Sequence, residues 1–223
     1  MVNNSRSVGI INPAKYTGNI HIIGVGATGS RIVKNLIELG FIGSQIHVYD
    51  DDVVEEHNIN NQLFDLTHIG MPKVVAMFEL IKNGYGEKIH SHQQRVDANT
   101  ELDGIVFLLT DTMSSRRDIV TPMNININIK LVIETRLDPE CGYVNTFNPI
   151  NKKHHKFYID SLFDDDAKPE IVSACGTRQT IGHVVDILAG TAMCEFVKWV
   201  NEQKIGKQVF FAVNPYYFQE TDM

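Results

Sequence analysis

Cysteine is scarce in this sequence. Three cysteines occur in 223 residues (Cys141, Cys175 and Cys194), and no two of them form a CxxC pair. Disulfide frameworks need an even, dense set of cysteines and four-thiolate zinc sites need closely spaced pairs, so both are excluded. A reducing compartment is therefore expected, and we predict a cytoplasmic protein.

Long apolar runs and an excess of positive charge are also missing. No run approaches the ~20 apolar residues that cross a bilayer, and residues 1–19 contain no apolar signal core. Lysine and arginine number 20 against 27 aspartates and glutamates, a formal net charge of −7. Sequence-independent nucleic-acid binders need basic stripes that meet phosphates. We therefore expect neither a membrane protein nor a nucleic-acid-binding protein.

The remaining composition is that of a globular domain. Hydrophobic residues make up 43% and charged residues 21%, and 223 residues suffice for one substantial core. We expect a single domain over residues 1–223. It would have a short N-terminal extension at residues 1–17 and a mobile acidic loop at residues 160–175.

Apolar periodicity predicts strands that alternate with helices. Strands are expected at residues 19–24, 45–50, 88–94, 104–110 and 130–135, an antiparallel excursion at 142–149 and 155–163, and a final strand at 209–218. Helices are expected at residues 30–40, 70–83, from about 113, and 180–200, where Cys194 should be buried in an apolar stripe. This pattern predicts an α/β fold with a doubly wound, mostly parallel Rossmann-like sheet and an antiparallel extension.

A glycine turn joins the first predicted strand to the first predicted helix. Gly24, Gly26 and Gly29 form a GxGxxG pattern, which lets the backbone approach a phosphate while helix N–H groups face the anion. Asp50 ends the next predicted strand, where a carboxylate can accept hydrogen bonds from ribose hydroxyls. The pattern favours a nucleotide site, and a tight turn without a ligand is the alternative.

The segment after Asp50 is unusually rich in carboxylates and amides. A dinucleotide site needs one acid there, but this sequence adds several polar residues and then a lysine: Asp52, Glu55, Asn58, Asn60, Gln62 and Lys73. Such a mixture suits a triphosphate with a divalent cation. The alternative is a solvated loop.

These residues resemble a known family. The block Asp50-x-Asp52-x-Val54-Glu55-x-x-Asn58-x-Asn60-x-Gln62, followed by Gly70-x-x-Lys73, is similar to that of ThiF, MoeB and the ubiquitin-activating enzymes. Similar blocks continue with Thr110-Asp111, Arg116 and Cys175, and they extend from Gly18 to Trp199. The compact chain looks most like a minimal bacterial or phage-type member.

The resemblance implies an ATP-dependent adenylyltransferase. In this family, ATP and Mg²⁺ are bound, and the C-terminal carboxylate of a small ubiquitin-fold or sulfur-carrier protein attacks the α-phosphorus. A carrier-adenylate and pyrophosphate result, and some members then transfer the acyl group to a cysteine. The resemblance also implies a homodimer.

Roles follow from the matching positions. The resemblance implies that the glycine turn and Asn58 face phosphates, Asp50 holds the ribose, Lys73 neutralises the phosphates and Asp111 carries Mg²⁺. It also implies that Asp52, Asn61 and Gln62 belong to the nucleotide site. Cys175 is the candidate acyl acceptor, because a thiol near a helix N-terminus has its thiolate favoured. A bystander thiol is the alternative.

One position departs from the family pattern. Asn61 stands where the family has an arginine, so a guanidinium clamp on the phosphates is missing. Three explanations are open. Another arginine of the chain (Arg6, Arg116 or Arg136) takes the place of the missing one, a partner supplies an arginine, or the chain is a non-catalytic scaffold or partner subunit. A nicotinamide enzyme with a coincidental acidic loop is a third hypothesis.

Overall fold

The computed structural model describes residues 5–7, 9–167 and 181–222. Its strands are β1 (Ile20–Ile23), β2 (Ile46–Tyr49), β3 (His90–His92), β4 (Gly104–Leu108), β5 (Ile129–Leu137), β6 (Cys141–Phe147), β7 (Gln208–Val213) and β8 (Tyr216–Thr221). Its helices are α1 (Ala27–Glu38), α2 (Lys73–Tyr85), α3 (Met113–Val120), α4 (Lys152–Asp160) and α5 (Gly182–Val200), with short 3-10 helices between them.

The strands form one mixed sheet in the order β3-β2-β1-β4-β5-β6-β7-β8. The five strands from β3 to β5 pair in parallel, and β6, β7 and β8 continue the sheet as antiparallel strands. The strand order reverses direction at β1, which lies between β2 and β4. The predicted fold class, a mostly parallel Rossmann-like sheet with an antiparallel extension, is confirmed.

Helices cover the sheet from both sides. Apolar residues of α1, α2 and α5 pack on one face, against side chains such as Ile22 and Phe107. Residues of α3 and α4 pack on the other face, against Val106, Val132 and Phe147. Strands buried on both faces need continuous apolar runs, which explains the pattern in β4. In the described part of the chain, no helix combines the length and apolarity needed to cross a membrane.

The expectation of a strand at residues 155–163 is wrong, because these residues lie largely in α4. Asn151 caps this helix, and its side-chain oxygen accepts hydrogen bonds from the N–H groups of Lys153 and His154 at 3.0 and 3.3 Å. Tyr158 then stacks on Phe147, with ring centroids 4.4 Å apart. The N-cap and the single buried aromatic of this amphipathic helix outweigh the β-propensity of its aromatic residues.

The expectation of one strand at residues 209–218 is also wrong. β7 and β8 form a hairpin whose two-residue turn is Asn214-Pro215, with Val213 opposite Tyr216. Proline lacks the N–H group that a central strand needs, so the chain turns there.

Cys194 is exposed, not buried as expected. The buried stripe of α5 runs through residues such as Leu188, Ala192 and Phe196. Cys194 lies on the opposite side, one turn beyond Gly190, because each residue advances about 100° around a helix. The hydrophobic character of a cysteine side chain does not by itself show whether the residue lies on the buried or the exposed side of a helix.

Candidate functional site

An open cleft of about 450 Å³ lies at the carboxyl ends of the parallel strands. This volume is within the range of small-molecule sites, and open α/β sheets bind ligands where the strand order reverses. Eight of the residues predicted from the sequence line this cleft: Gly24, Gly26, Gly29, Asp50, Asp52, Gln62, Lys73 and Asp111.

The glycine turn is built so tightly that side chains are excluded. Gly24 has φ +95°, and a Cβ there would lie 2.8 Å from the carbonyl oxygen of Leu109. A Cβ on Gly29 would overlap the carbonyl oxygen of Gly24. Gly26 begins α1 without a side-chain cap, so the first N–H groups of this helix border the cleft without such a partner. Helix N-termini of this kind bind anions.

The Asp50 carboxylate braces this turn. Its Oδ2 accepts a hydrogen bond from the N–H of Val25 at 2.7 Å, and its Oδ1 accepts one from the N–H of Asp52 at 3.0 Å. Burial raises the pKa of the Asp50 carboxyl, while Lys73 and the two N–H groups oppose that rise. Each carboxylate oxygen keeps a second lone pair, which can accept from a hydroxyl in the cleft.

A lysine and an arginine face the acidic segment. Lys73 is the first residue of α2, and its Nζ lies 2.7 Å from Oδ2 of Asp52. Its side chain is only 10% exposed, so its charge is held at one place in the cleft wall. Arg95 pairs with Asp51 at 2.8 Å, but its side chain is 83% exposed. The sequence analysis did not identify Arg95.

Asn58 shapes the loop and does not line the cleft. It lies in a 3-10 helix (Glu56–Asn60), and its Oδ1 accepts a hydrogen bond from the N–H of Glu55 at 2.9 Å. Its main-chain carbonyl accepts from the N–H of Gln62 at 2.9 Å, which directs Gln62 to the cleft. A contact of Asn58 with phosphate stays a prediction.

Asn61 also lies outside the cleft lining, and an arginine contacts it. The Arg31 guanidinium donates to the carbonyl oxygens of Asn61 and Ala27 and forms an ion pair with Asp186 of α5. Arg31 therefore joins α1, the loop and α5. The sequence analysis missed it, because its contacts connect residues that are 30 and 155 positions apart.

Two of the other candidate arginines, Arg116 and Arg136, form ion pairs with the buried Glu134 of β5. Arg116 lines the cleft but is only 5% exposed, and its Nε lies 2.9 Å from Glu134 Oε1. It also donates to the carbonyl oxygens of Thr110 and Thr135. Arg136 pairs with the same Glu134 oxygen at 3.0 Å, and Arg6 is exposed and outside the lining. Substitution of the missing clamp by one of these arginines stays untested.

Asp111 lies in the cleft wall just beyond the end of β4 and is exposed. It is thus placed where a cation beside the phosphates would need an oxygen ligand. Cys175, the candidate acyl acceptor, lies outside the described residues.

The cleft offers groups that fit a nucleotide and a divalent cation. The carboxylates of Asp50, Asp51 and Asp52 have oxygens within 4.8 Å of one another, and Mg²⁺ prefers oxygen ligands. Within the described residues, two buried oxygen atoms of the lining, Gln62 Oε1 and Thr110 Oγ1, have no hydrogen-bond partner. Buried polar atoms need a partner, so a bound molecule or water would satisfy them.

The fold and this cleft define a class of protein. A mostly parallel α/β sheet with a glycine turn after β1 and an acid after β2 is a Rossmann-like arrangement. A family model described as the ThiF family matches residues 16–222, which is most of the chain. The chain belongs to the ThiF family, and the resemblance found in the sequence is confirmed.

Curated relatives are ubiquitin-like activating enzymes. Human ubiquitin-like modifier-activating enzyme 6 is 30% identical over 124 residues, covering 53% of this chain and 11% of the relative. SUMO-activating enzyme subunit 2 of Dictyostelium discoideum is 30% identical over 145 residues, covering 61% and 21%. The NEDD8-activating enzyme E1 catalytic subunit of Saccharomyces cerevisiae is 34% identical over 77 residues, covering 34% and 25%. The chain thus matches at most a quarter of each of these relatives.

Solved structures share the fold over nearly the whole chain. PaaA superposes with a TM-score of 0.72 at 19% identity, covering 94% of this chain and 65% of PaaA. Escherichia coli MccB, solved with AMPCPP and MccA, gives 0.70 at 15% identity, covering 95% and 65%. MccB solved with ATP gives 0.67 at 16% identity, also covering 95% and 65%. At such identities the likeness shows the fold alone.

Proposed function

We propose that this chain uses ATP and Mg²⁺ to adenylate the C-terminal carboxylate of a ubiquitin-like or sulfur-carrier protein. The observation that carries the proposal is one cleft that brings together the glycine turn, Asp50, Lys73 and Asp111. Membership of the ThiF family supports it, as do relatives named for activating ubiquitin-like modifiers. MccB structures named with ATP and AMPCPP support ATP as the nucleotide.

The chain's residues would act mainly by positioning and charge. The first N–H groups of α1 and the Lys73 ammonium would lie along the phosphates and stabilise the negative charge that develops as pyrophosphate leaves. Asp50 would accept hydrogen bonds from the ribose, and Asp111 would hold Mg²⁺. Holding the carrier's carboxylate in line with the α-phosphorus would supply the rest of the rate enhancement.

The remaining expectations are part of the same proposal. We propose a single adenylation domain over residues 1–223 that acts as a cytoplasmic homodimer. Cys175 would accept the activated acyl group, so Cys175→Ala should keep pyrophosphate exchange and abolish a thiol-labile carrier adduct in intact-mass spectra. An adduct that survives this substitution would assign the acceptor elsewhere, and Cys194→Ala is the matched control on an exposed thiol.

ATP–pyrophosphate exchange with a panel of carrier proteins tests the adenylation step. We expect exchange with the cognate carrier and a loss of about 10²–10³-fold in Lys73→Met, since one preorganised electrostatic contact is typically of that size. Lys152→Met, at an exposed position that begins α4, is the control. Equal exchange rates in the two variants would refute the role of Lys73.

Calorimetry tests the metal. ATP affinity should rise with Mg²⁺, and Asp111→Asn should remove most of that rise, because an amide is a poorer ligand for a hard cation. Asp118→Asn, exposed on α3, is the control. Equal ATP affinity with and without Mg²⁺ in the wild type would count against the assignment.

A non-catalytic scaffold or partner subunit is the second candidate. It is favoured by Asn61, and by the ion pairs of Arg95 and Arg116, which are the arginines that line the cleft among the described residues. ATP binding without exchange for any carrier, in both wild type and Asn61→Arg, would support the scaffold. A gain of exchange in Asn61→Arg would instead identify a weakened enzyme. Thermal stabilisation by NAD but not by ATP with Mg²⁺ would favour a nicotinamide enzyme over both.

A further inference from the structure

Four histidines lie side by side on one face of the sheet, and none of them is part of the cleft lining. In the sheet register, His47 of β2 lies opposite His21 of β1 and His90 of β3. Two residues further along β3, His92 lies opposite Tyr49 of β2. The connection from β3 to β4 (residues 93–103) contains no helix. This part of the sheet is therefore open, with His90 exposed and His47 and His92 half-buried.

Two of these rings present nitrogens at the spacing of metal ligands. His47 Nδ1 lies 3.2 Å from His92 Nε2. Two imidazole nitrogens bound to one tetrahedral Zn²⁺ at ordinary Zn–N distances are about 3.4 Å apart. Without a metal, one of the two nitrogens carries a proton that the other accepts. A metal ion between them would replace that proton, which would move to the other nitrogen of its ring.

His21 holds this pair in orientation and is not itself a ligand. Its Nε2 lies 2.9 Å from Asp103 Oδ1, and its Nδ1 lies 3.1 Å from the Tyr49 hydroxyl. Tyr49 in turn stacks on His92, with ring centroids 4.4 Å apart. Both nitrogens of His21 are thus occupied, and the chain of contacts fixes the plane of the His92 ring. Such outer contacts orient the ligands of metal sites.

His90 can supply a third ligand after a rotation of its side chain. It is two residues before His92, so both side chains leave β3 on the same face. Its ring stacks on His47 at 4.5 Å, and no hydrogen bond to the ring is found in the described part of the chain. Because the side chain is exposed, rotation about its χ angles can turn a nitrogen toward the His47–His92 gap.

We propose that His47, His90 and His92 bind a divalent transition-metal ion of the Zn²⁺ type, with water completing the coordination. The proposal is independent of the adenylation function, since these three residues are not part of the cleft lining. Tyr49 does line the cleft and stacks on His92, so an ion bound here would lie next to the nucleotide site without being part of it.

Titration of the whole chain with Zn²⁺ alone, by calorimetry without nucleotide, tests the site. We expect one equivalent to bind, and His47→Gln or His92→Gln to weaken binding by about tenfold or more, because each removes a ligand of a tetrahedral site. His90→Gln should weaken it by a smaller factor, since the His47–His92 pair that is already in contact remains. His183→Gln, at an exposed position of α5, is the matched control and should bind like the wild type.

A second measurement on the wild type guards against variants that fail to fold. Histidine ring ¹⁵N spectra should show that Zn²⁺ shifts Nδ1 of His47 and Nε2 of His92 while the signals of His21 stay in place. Absence of binding, or binding that survives in folded His47→Gln and His92→Gln, would overturn the proposal. Loss of binding in Asp51→Asn would assign the ion to the carboxylates of the cleft instead, and would equally refute it.

Discussion

Substitution of Glu134, a buried residue that forms ion pairs with two arginines, should lower the free energy of unfolding strongly. Its side chain is fully buried, and Oε1 lies 2.9 Å from Arg116 Nε and 3.0 Å from Arg136 Nε. Oε2 accepts a hydrogen bond from Asn145 Nδ2 at 2.6 Å. One carboxylate thus neutralises two guanidiniums that are 5% and 15% exposed.

Glu134→Gln keeps the shape and removes the charge. The new amide nitrogen would face the Asn145 amide, which can turn over when the Gln208 amide, whose Nε2 donates to Asn145 Oδ1, turns with it. The two guanidiniums would lose the carboxylate that neutralises them, and leaving buried charges unpaired typically costs 3–5 kcal/mol. We take about 3 kcal/mol for Glu134→Gln, at the low end of that range, because one acceptor oxygen remains.

Urea unfolding followed by circular dichroism checks this value. With an m value of about 2–3 kcal/mol/M, a loss of about 3 kcal/mol lowers the midpoint by about 1–1.5 M. Glu101→Gln, at an exposed position, is the matched control and should leave the midpoint unchanged. A loss below about 1 kcal/mol would refute the reasoning, because it would mean that water or another group neutralises the arginines.

A double substitution separates charge from packing. Arg136→Met removes one of the unpaired guanidiniums, so Glu134→Gln with Arg136→Met should be less destabilised than the sum of the single changes. Additive losses would show that the three side chains stabilise the sheet independently.

Two further predictions concern backbone space and pH. Gly29→Ala should destabilise the fold and abolish nucleotide binding, because the new Cβ would overlap the carbonyl oxygen of Gly24. The control is Gly190→Ala in α5, whose Cβ would meet nothing within 4 Å. It should stabilise the fold by about 0.5–1 kcal/mol in the same urea assay. Because the pKa of His47 is lowered to about 4 by burial and by neighbouring histidines, the unfolded chain takes up the proton first as pH falls below about 6.5. The contribution of the neutral His47 ring to stability is therefore complete above about pH 6.5 and is lost toward pH 4. Urea midpoints measured with EDTA should fall over that pH interval, and they should fall less in His47→Gln.

The parts of the fold that the sequence predicted are those with local signals. The glycine turn, the strand predicted at residues 45–50 and the amphipathic helix predicted at residues 70–83 each have their pattern within a few residues. The structure has them with ends that differ by one to three residues. α4 and the β7–β8 hairpin were missed, although local signals existed in the Asn151 cap and in Pro215. Aromatic β-propensity was given too much weight against them.

The parts that were not predicted depend on pairings distant in sequence. Glu134 and Arg116 meet because β5 lies beside β4 and α3 packs over them, and Arg31 reaches Asp186 only because α1 and α5 share a face of the sheet. The histidine cluster requires the register between β1, β2 and β3. No periodicity within one segment encodes these contacts, since they depend on which strands become neighbours.

The charges of the cleft lead to a prediction about Asn61. Among the described residues, the lining contains four carboxylates (Asp50, Asp51, Asp52 and Asp111) and three cations. Lys73 and Arg95 form ion pairs with carboxylates of the lining, whereas Arg116 is neutralised by Glu134, which lies outside it. A cleft with excess negative charge repels a triphosphate unless a cation joins it. We therefore expect ATP affinity to depend strongly on Mg²⁺ in the wild type, and Asn61→Arg to reduce that dependence by raising the affinity for ATP in EDTA. Asn61→Gln is the uncharged control of intermediate length. If calorimetry gives the same ratio of affinities with and without Mg²⁺ in Asn61→Arg and in Asn61→Gln, the charge balance does not explain the metal requirement.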